Sequence, residues 1–486
     1  AEKLLTAYTR NLRETEERVI HVPPESLALS YISNSTILNF LSNLGVKLDI
    51  FFRLLWRHVF CVEILKHHFN IRTESDKKSL LTRLHFLFKD QKNKSALNYL
   101  EKWGKDFWED TDYRIKEVTT KLEKDLRSTV GCLKIPVSAD VEASRKISSE
   151  EKQEIVQRAK RVVNQVQIRA LSEIITLINN VLEDPQKKYY ITIDRLDEEW
   201  IEDKLRYRLI RALIETVKDF QKVRYAKILV AMRLDLLERV FRMTRDAGFQ
   251  EEKYRSLYLH LSWSKDQLVS LLHQRIDYLV RESYTKQAVT HETLLPKKVS
   301  KQPTIDYILD RTMMRPRDVI VFFNSCIHYA GDRPNISQQV LRQAESEYSR
   351  ARLRSLADEW YADYPNLIEF TKILKSKAKH FLIKEITDRE CEDFCLDFVI
   401  DGYEHDDILS AIAKEVAYAA KNCDDFRASV IQLFHRVGIV GLKLEPHESF
   451  VWAGSGERNV SSGEIRPDTI VAVHPMFWRV LGIKDR

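Results

Sequence analysis

Residues 189–232 constrain the fold of this chain more than any other stretch. Tyr189-Tyr190-Ile191-Thr192-Ile193 is a short apolar run rich in β-branched residues, as a strand buried on both faces should be. Residues 202–221 follow, with Leu205, Leu209, Leu213, Ile214 and Val217 at helical spacing. Ala226-Lys227-Ile228-Leu229-Val230-Ala231-Met232 is a second buried-strand run. Strand, helix and strand within about 45 residues make a βαβ unit, hence a parallel sheet with a right-handed crossover.

The first strand runs into Asp194-Arg195-Leu196-Asp197-Glu198. An apolar strand ending in a carboxylate is the pattern of a Walker B motif, because it aims the acid into the crevice where phosphates and Mg²⁺ sit. On that reading Asp194 holds Mg²⁺, directly or through water, and Asp197 or Glu198 orients the attacking water. A strand that merely ends in an acidic turn has the same pattern. The second strand ends in Met232-Arg233-Leu234-Asp235. There Arg233 sets a fixed charge against a transferring phosphoryl group, the sensor 1 position; the alternative is a structural bridge to Asp194 or Asp235.

A third signal is Arg311-Thr312-Met313-Met314-Arg315-Pro316-Arg317, opening an apolar helix. Pro316 suits its first turn. Arg311, Arg315 and Arg317 oppose the helix dipole, which favours anions at that end. A paired or nucleotide-facing role follows, in a lid closing on the nucleotide or on a neighbouring subunit.

Asp194-Arg195-Leu196-Asp197-Glu198 resembles the extended Walker B of STAND and KAP-type ATPases, the NACHT-related relatives of AAA+ proteins. Met232-Arg233 resembles their sensor 1. Trp263, the Arg315-Pro316-Arg317 helix and a C-terminal winged-helix pattern follow in the order of a group of bacterial ATPases of this class. Several of that group lie in antiviral defence clusters or are labelled DNA-repair ATPases. The resemblance covers residues 188–486. Arg195 stands where the KAP form has an acidic residue, which leaves the catalytic carboxylate open. The resemblance implies an α/β, helix-rich P-loop NTPase using ATP and Mg²⁺ as a switch or in assembly.

Composition bears on one point. Only 12 residues are Gly, where average usage gives roughly 34, and neither G-x-x-x-x-G-K-[ST] nor G-x-G-x-x-G is present. Residues 2–18 and Val19–Val22 look like the helix and strand that follow a phosphate loop, so Walker A is expected just upstream of Ala1. A degenerate ATPase without the loop is the alternative.

The expected organisation is an N-terminal part of the ATPase core over 1–72 and a helical insertion over 73–185. The core with Walker B, sensor 1 and lid spans 186–335, a helical linker 336–390 and a winged helix 391–486. Helices are expected over 264–282, capped by Ser264 and Gln267, over 338–378 and 406–421, and from Asp424 or Asp425 to Gly438. Strands are expected over 439–444, 450–453 and 469–473.

The helix starting at Asp424 carries only Arg427, His435 and Arg436 as cations, poor for phosphate contacts, so packing against the core outweighs DNA binding. The basic run Lys372, Lys375, Lys377, Lys379 and His380 reads as a solvated face. The six scattered cysteines read as reduced thiols of a cytoplasmic protein. Expected partners are a second copy in a homo-oligomer, an effector protein subunit, or DNA; no membrane is expected, since no run of 18 apolar residues occurs. Alternative functions are a winged-helix DNA-binding or DNA-repair protein on an ATPase scaffold, and a non-hydrolysing scaffold recruiting an effector.

Overall fold

The computed structural model describes residues 19–24, 49–71, 203–245, 252–283 and most of 175–198 and 289–484. The helix expected over 2–18 and most of the insertion over 73–185 lie outside the described residues. The chain divides into two compact units, Ala1–Leu259 and His260–Arg486. No helix among the described residues is long and apolar enough to cross a membrane.

The first unit is α/β. Among the described residues its main elements are β1 (Val19–His21), α1 (Asp49–His68), β2 (Tyr189–Ile193), α2 (Asp203–Phe220), β3 (Ala226–Val230) and α3 (Leu234–Met243). The strands form a parallel sheet in the order β1-β2-β3, with Ile191 opposite both Ile20 and Ile228. All residues of central β2 are buried, the condition that selects an unbroken apolar run over an alternating one.

Helices α1 and α2 pack on one another. Trp56 is fully buried, and its Nε1 donates to the Leu209 carbonyl at 2.9 Å. Phe60 meets Phe220 edge-on at 5.3 Å. Burying such a side chain contributes roughly 1.5–3 kcal/mol. The charges that interrupt α1 have a partner, because Arg53 and Arg57 both reach Asp219 on α2. Burial alone would raise the Asp219 carboxyl, but the hydrogen bonds from Arg57 and Arg53 outweigh it and hold its pKa below the usual value.

The second unit begins with α4 (Lys265–Ser283), α5 (Thr304–Asp310), α6 (Pro316–Ala330) and α7 (Gln338–Trp360). The capping box at α4 is formed: Gln267 N–H donates to Ser264 Oγ at 3.2 Å and Ser264 N–H to Gln267 Oε1 at 2.9 Å. Pro316 opens α6. Buried Asp318 of α6 pairs with Arg352 of α7 at 3.4 Å, and Phe322 stacks on Tyr348. The helix expected over 338–378 stops at Trp360, shortly before Pro365, which disfavours helix for the residue before it.

The rest comprises β4 (His380–Leu382), α8 (Asp388–Ile400), α9 (Ile408–Ala417), α10 (Cys423–Arg436), β5 (Val440–Lys443) and β6 (Ile470–Val473). The strands pair antiparallel in the order β4-β6-β5. Helix α10 is capped by Asn422, whose Oδ1 accepts from Asp425 N–H at 3.2 Å, and not by Asp424 or Asp425. Both acids sit in the first turn, where the helix dipole favours them. Gly438, with φ +84, ends the segment as expected. The strand expected over 450–453 is reduced to a bridge between Leu442 and Val451. Trp452 lies over Gly441 so closely that a Cβ there would come within 2.5 Å of the indole.

Candidate functional site

The ends of β2 and β3 bring four of the expected site residues to one place. Ala231 N–H donates to the Ile193 carbonyl at 2.8 Å, so both strands leave the sheet at the same level. Beyond β2, Asp194 Oδ1 accepts from Arg195 N–H at 2.8 Å. Arg195 takes a left-handed φ of +61, which costs a side-chain-bearing residue roughly 1–2 kcal/mol. The turn this creates buries Leu196 as an anchor and leaves Asp197 and Glu198 exposed.

Beyond β3, Arg233 sits at the N-cap of α3 with extended backbone. It donates to both oxygens of Asp235, each at 3.0 Å, and lies 3.7 Å from Asp197. Its guanidinium therefore links the two strand ends and remains open to solvent. Asp194, Asp197, Glu198 and Arg233 form an open, mixed-charge rim at the carboxyl ends of a parallel sheet, where ligands of open α/β folds bind.

Among the described residues no three carboxylate, imidazole or thiol groups converge as an all-protein metal site. Mg²⁺ commonly takes one or two carboxylates and completes its shell with phosphate oxygens and water. Asp194 and Asp197 suit that donor set.

The other three candidates belong to the second unit. Arg311 is buried: its Nε donates to Glu345 Oε1 at 2.6 Å, its Nη1 donates to the Tyr307 carbonyl at 3.1 Å, and it stacks 3.4 Å over the Tyr307 ring. Glu345 also accepts from the Tyr307 hydroxyl at 2.7 Å and from Arg479 Nε at 3.2 Å. The structure thus commits Arg311 to an interior network. Arg315 is exposed, 3.9 Å from Glu359, and Arg317 is exposed. Glu345 escaped the sequence reading, yet its position on the α7 stripe of Leu341, Ala344 and Tyr348 was a signal, since a carboxylate on an apolar face needs buried partners.

The cations of α10 are likewise occupied. Arg427 is buried and pairs with Asp388 and Asp424. Burial lowers the His435 pKa, with the Val440 backbone working against it. Arg436 donates to the Tyr364 hydroxyl at 3.3 Å and lies over Trp360. The exposed residues of the first turn are Asp424 and Asp425. Cys391, Cys395 and Cys423 are buried free thiols at the α8–α10 contact, and burial pushes the Cys423 thiol up to about 12, an inert state.

Comparison with known proteins adds two likenesses. The family described as the FunZ-associated C-terminal helical domain matches residues 266–357, a span holding α4, α5, α6 and most of α7, with both partners of the Arg311–Glu345 pair. The chain is also 21% identical over 319 residues to the "Putative transposon gamma-delta 80.3 kDa protein" of Escherichia coli (strain K12). That alignment takes in 64% of this chain and 43% of the relative, so the chain spans less than half the relative's length. No solved structure matches.

Proposed function

We propose that this chain binds and hydrolyses ATP at the ends of β2 and β3, as a switch or assembly ATPase of the STAND/KAP kind. The observation that carries the reading is the link from Arg233 to Asp197 across the ends of two parallel strands, with β2, the strand that leads into Asp194, in the middle of the sheet. Asp194 holds Mg²⁺ together with the nucleotide phosphates. Mg²⁺ held there would neutralise charge on the phosphates. Asp197 and Glu198 orient the attacking water, and Arg233 stabilises charge on the transferring phosphoryl group. Arg315 and Arg317, exposed at the start of α6, are the lid candidates.

A role in bacterial antiviral defence and homo-oligomer formation belong to the same proposal, on the strength of the family resemblance; a non-hydrolysing scaffold that recruits an effector subunit is the alternative to it. The test is phosphate release by the intact protein carrying Asp197→Asn with Glu198→Gln. ATP binding retained with hydrolysis lost supports the assignment, and undiminished hydrolysis sinks it.

A second reading rests on β4, three helices, and the β5–β6 hairpin, an arrangement of winged-helix type. The relative's name ties that protein to a transposon, which keeps DNA among the candidate partners. The ion-paired and buried cations of α10 favour packing over groove contact for this module. Salt-dependent duplex binding without nucleotide affinity would favour the DNA reading.

A further inference from the structure

The chain as a whole carries a net charge of +6, but residues 388–407 hold nine Asp and Glu against a single Arg. This local reversal coincides with an exposed apolar face. On α8, Leu396 and Ile400 stand one turn apart and are 49% and 70% exposed. Ile408, 82% exposed, begins α9 on the other side of the same connection. These helices are packed neighbours with substantial contact, so the core already has their buried sides and these residues are surplus to it.

Apolar side chains gathered in this way mark interaction sites more often than idle surface. Charge identifies the occupant. Glu392, Asp397 and Asp401 border Leu396 and Ile400 and are exposed; Lys372 and Arg389 line one hollow with Asp397 and Lys372 feels the Asp401 charge, but among the described residues no cation lies within ion-pair distance of the three acids, and acids outnumber cations there. Nucleic acid and anionic lipid are repelled by such a rim. A second copy presenting the same face would set acid against acid.

We propose that the α8–α9 face docks a basic amphipathic helix of a partner protein, its apolar stripe on Leu396, Ile400 and Ile408 and its Lys or Arg residues against the acidic rim. The proposal is independent of the ATPase reading.

Two fluorescein-labelled peptides of about 18 residues, five helical turns, test it. They share one leucine face and differ in carrying Lys or Glu on the polar face. Anisotropy titration of the intact protein is expected to show the Lys peptide binding at least about tenfold tighter, with the gap narrowing at high salt. Ile408→Glu, or Asp397→Asn with Asp401→Asn, is expected to weaken it by about tenfold, with circular dichroism unchanged. Val321→Glu, at an exposed apolar position on α6, is expected to leave binding alone. Equal affinity for both peptides, or binding indifferent to both surface variants, overturns the proposal. So does a dimer in sedimentation that Ile408→Glu dissolves, since the face would then belong to a second copy.

Discussion

The Arg233 guanidinium lies 3.7 Å from the Asp197 carboxylate, across the ends of two parallel strands, and is held there by two 3.0 Å hydrogen bonds to Asp235. Nearly half of both side chains is exposed, and ion pairs so open to solvent contribute little to stability. Arg233→Ala is therefore expected to leave the urea midpoint of the intact protein almost unchanged. ATP turnover is expected to fall by about 10²–10³, the loss typical of one preorganised charge at a reacting group. A phosphate-release assay showing full turnover would remove Arg233 from the chemistry.

Glu345 answers to a different quantity. It accepts from Tyr307, Arg311 and Arg479 in the interior of the second unit. Glu345→Ala strands Arg311 as a buried, uncompensated cation, and breaking a buried pair costs about 3–5 kcal/mol. Urea unfolding is expected to show that loss, with part of it recovered when Arg311→Met is added. An unchanged midpoint for Glu345→Ala would contradict the network.

Arg195 holds a left-handed φ of +61 at the turn that separates Asp194 from Asp197. Glycine adopts this conformation without steric cost. Arg195→Gly is expected to keep the turn, with relief of strain worth about 1 kcal/mol set against the greater freedom of the unfolded chain. Arg195→Val should lower stability clearly, because β-branching disfavours positive φ. Thermal melting of the two variants checks the order.

Acid should act on the first unit through Asp219. Its pKa is lower folded than unfolded, because Arg57 and Arg53 overcome the effect of burial. The stability it contributes is complete above the ordinary value of 3.8 and is lost as pH falls through the depressed folded value. Asp219→Asn should therefore be less stable than the parent near neutrality, and the difference should shrink in the most acidic range. Urea midpoints as a function of pH measure this, and a gap that does not shrink with acid would contradict the pairing.

What could be read in advance follows from how local each signal is. β2 announced itself because five consecutive buried positions demand an apolar run, and the Ser264–Gln267 box needs only residues three apart. The rim at Asp194 and Arg233 was legible because both residues end strands that are neighbours in the sheet. Arg311 was different: its partner Glu345 lies 34 residues away, and helix-dipole reasoning sees only the near end of that pair. The burial of Arg427 depends on Asp388, 39 residues off, so the small number of cations on α10 was legible in sequence but their pairing was not. At the start of α10, three cap-forming residues within four positions compete, and composition alone does not select Asn422 over Asp424 or Asp425.

Hydrogen–deuterium exchange of the intact protein with and without Mg·ATP tests the central claim most directly. The account predicts nucleotide-dependent protection at residues 190–198 and 229–236, reduced by Asp194→Ala. Exchange at both strand ends that is identical with and without saturating Mg·ATP would contradict it.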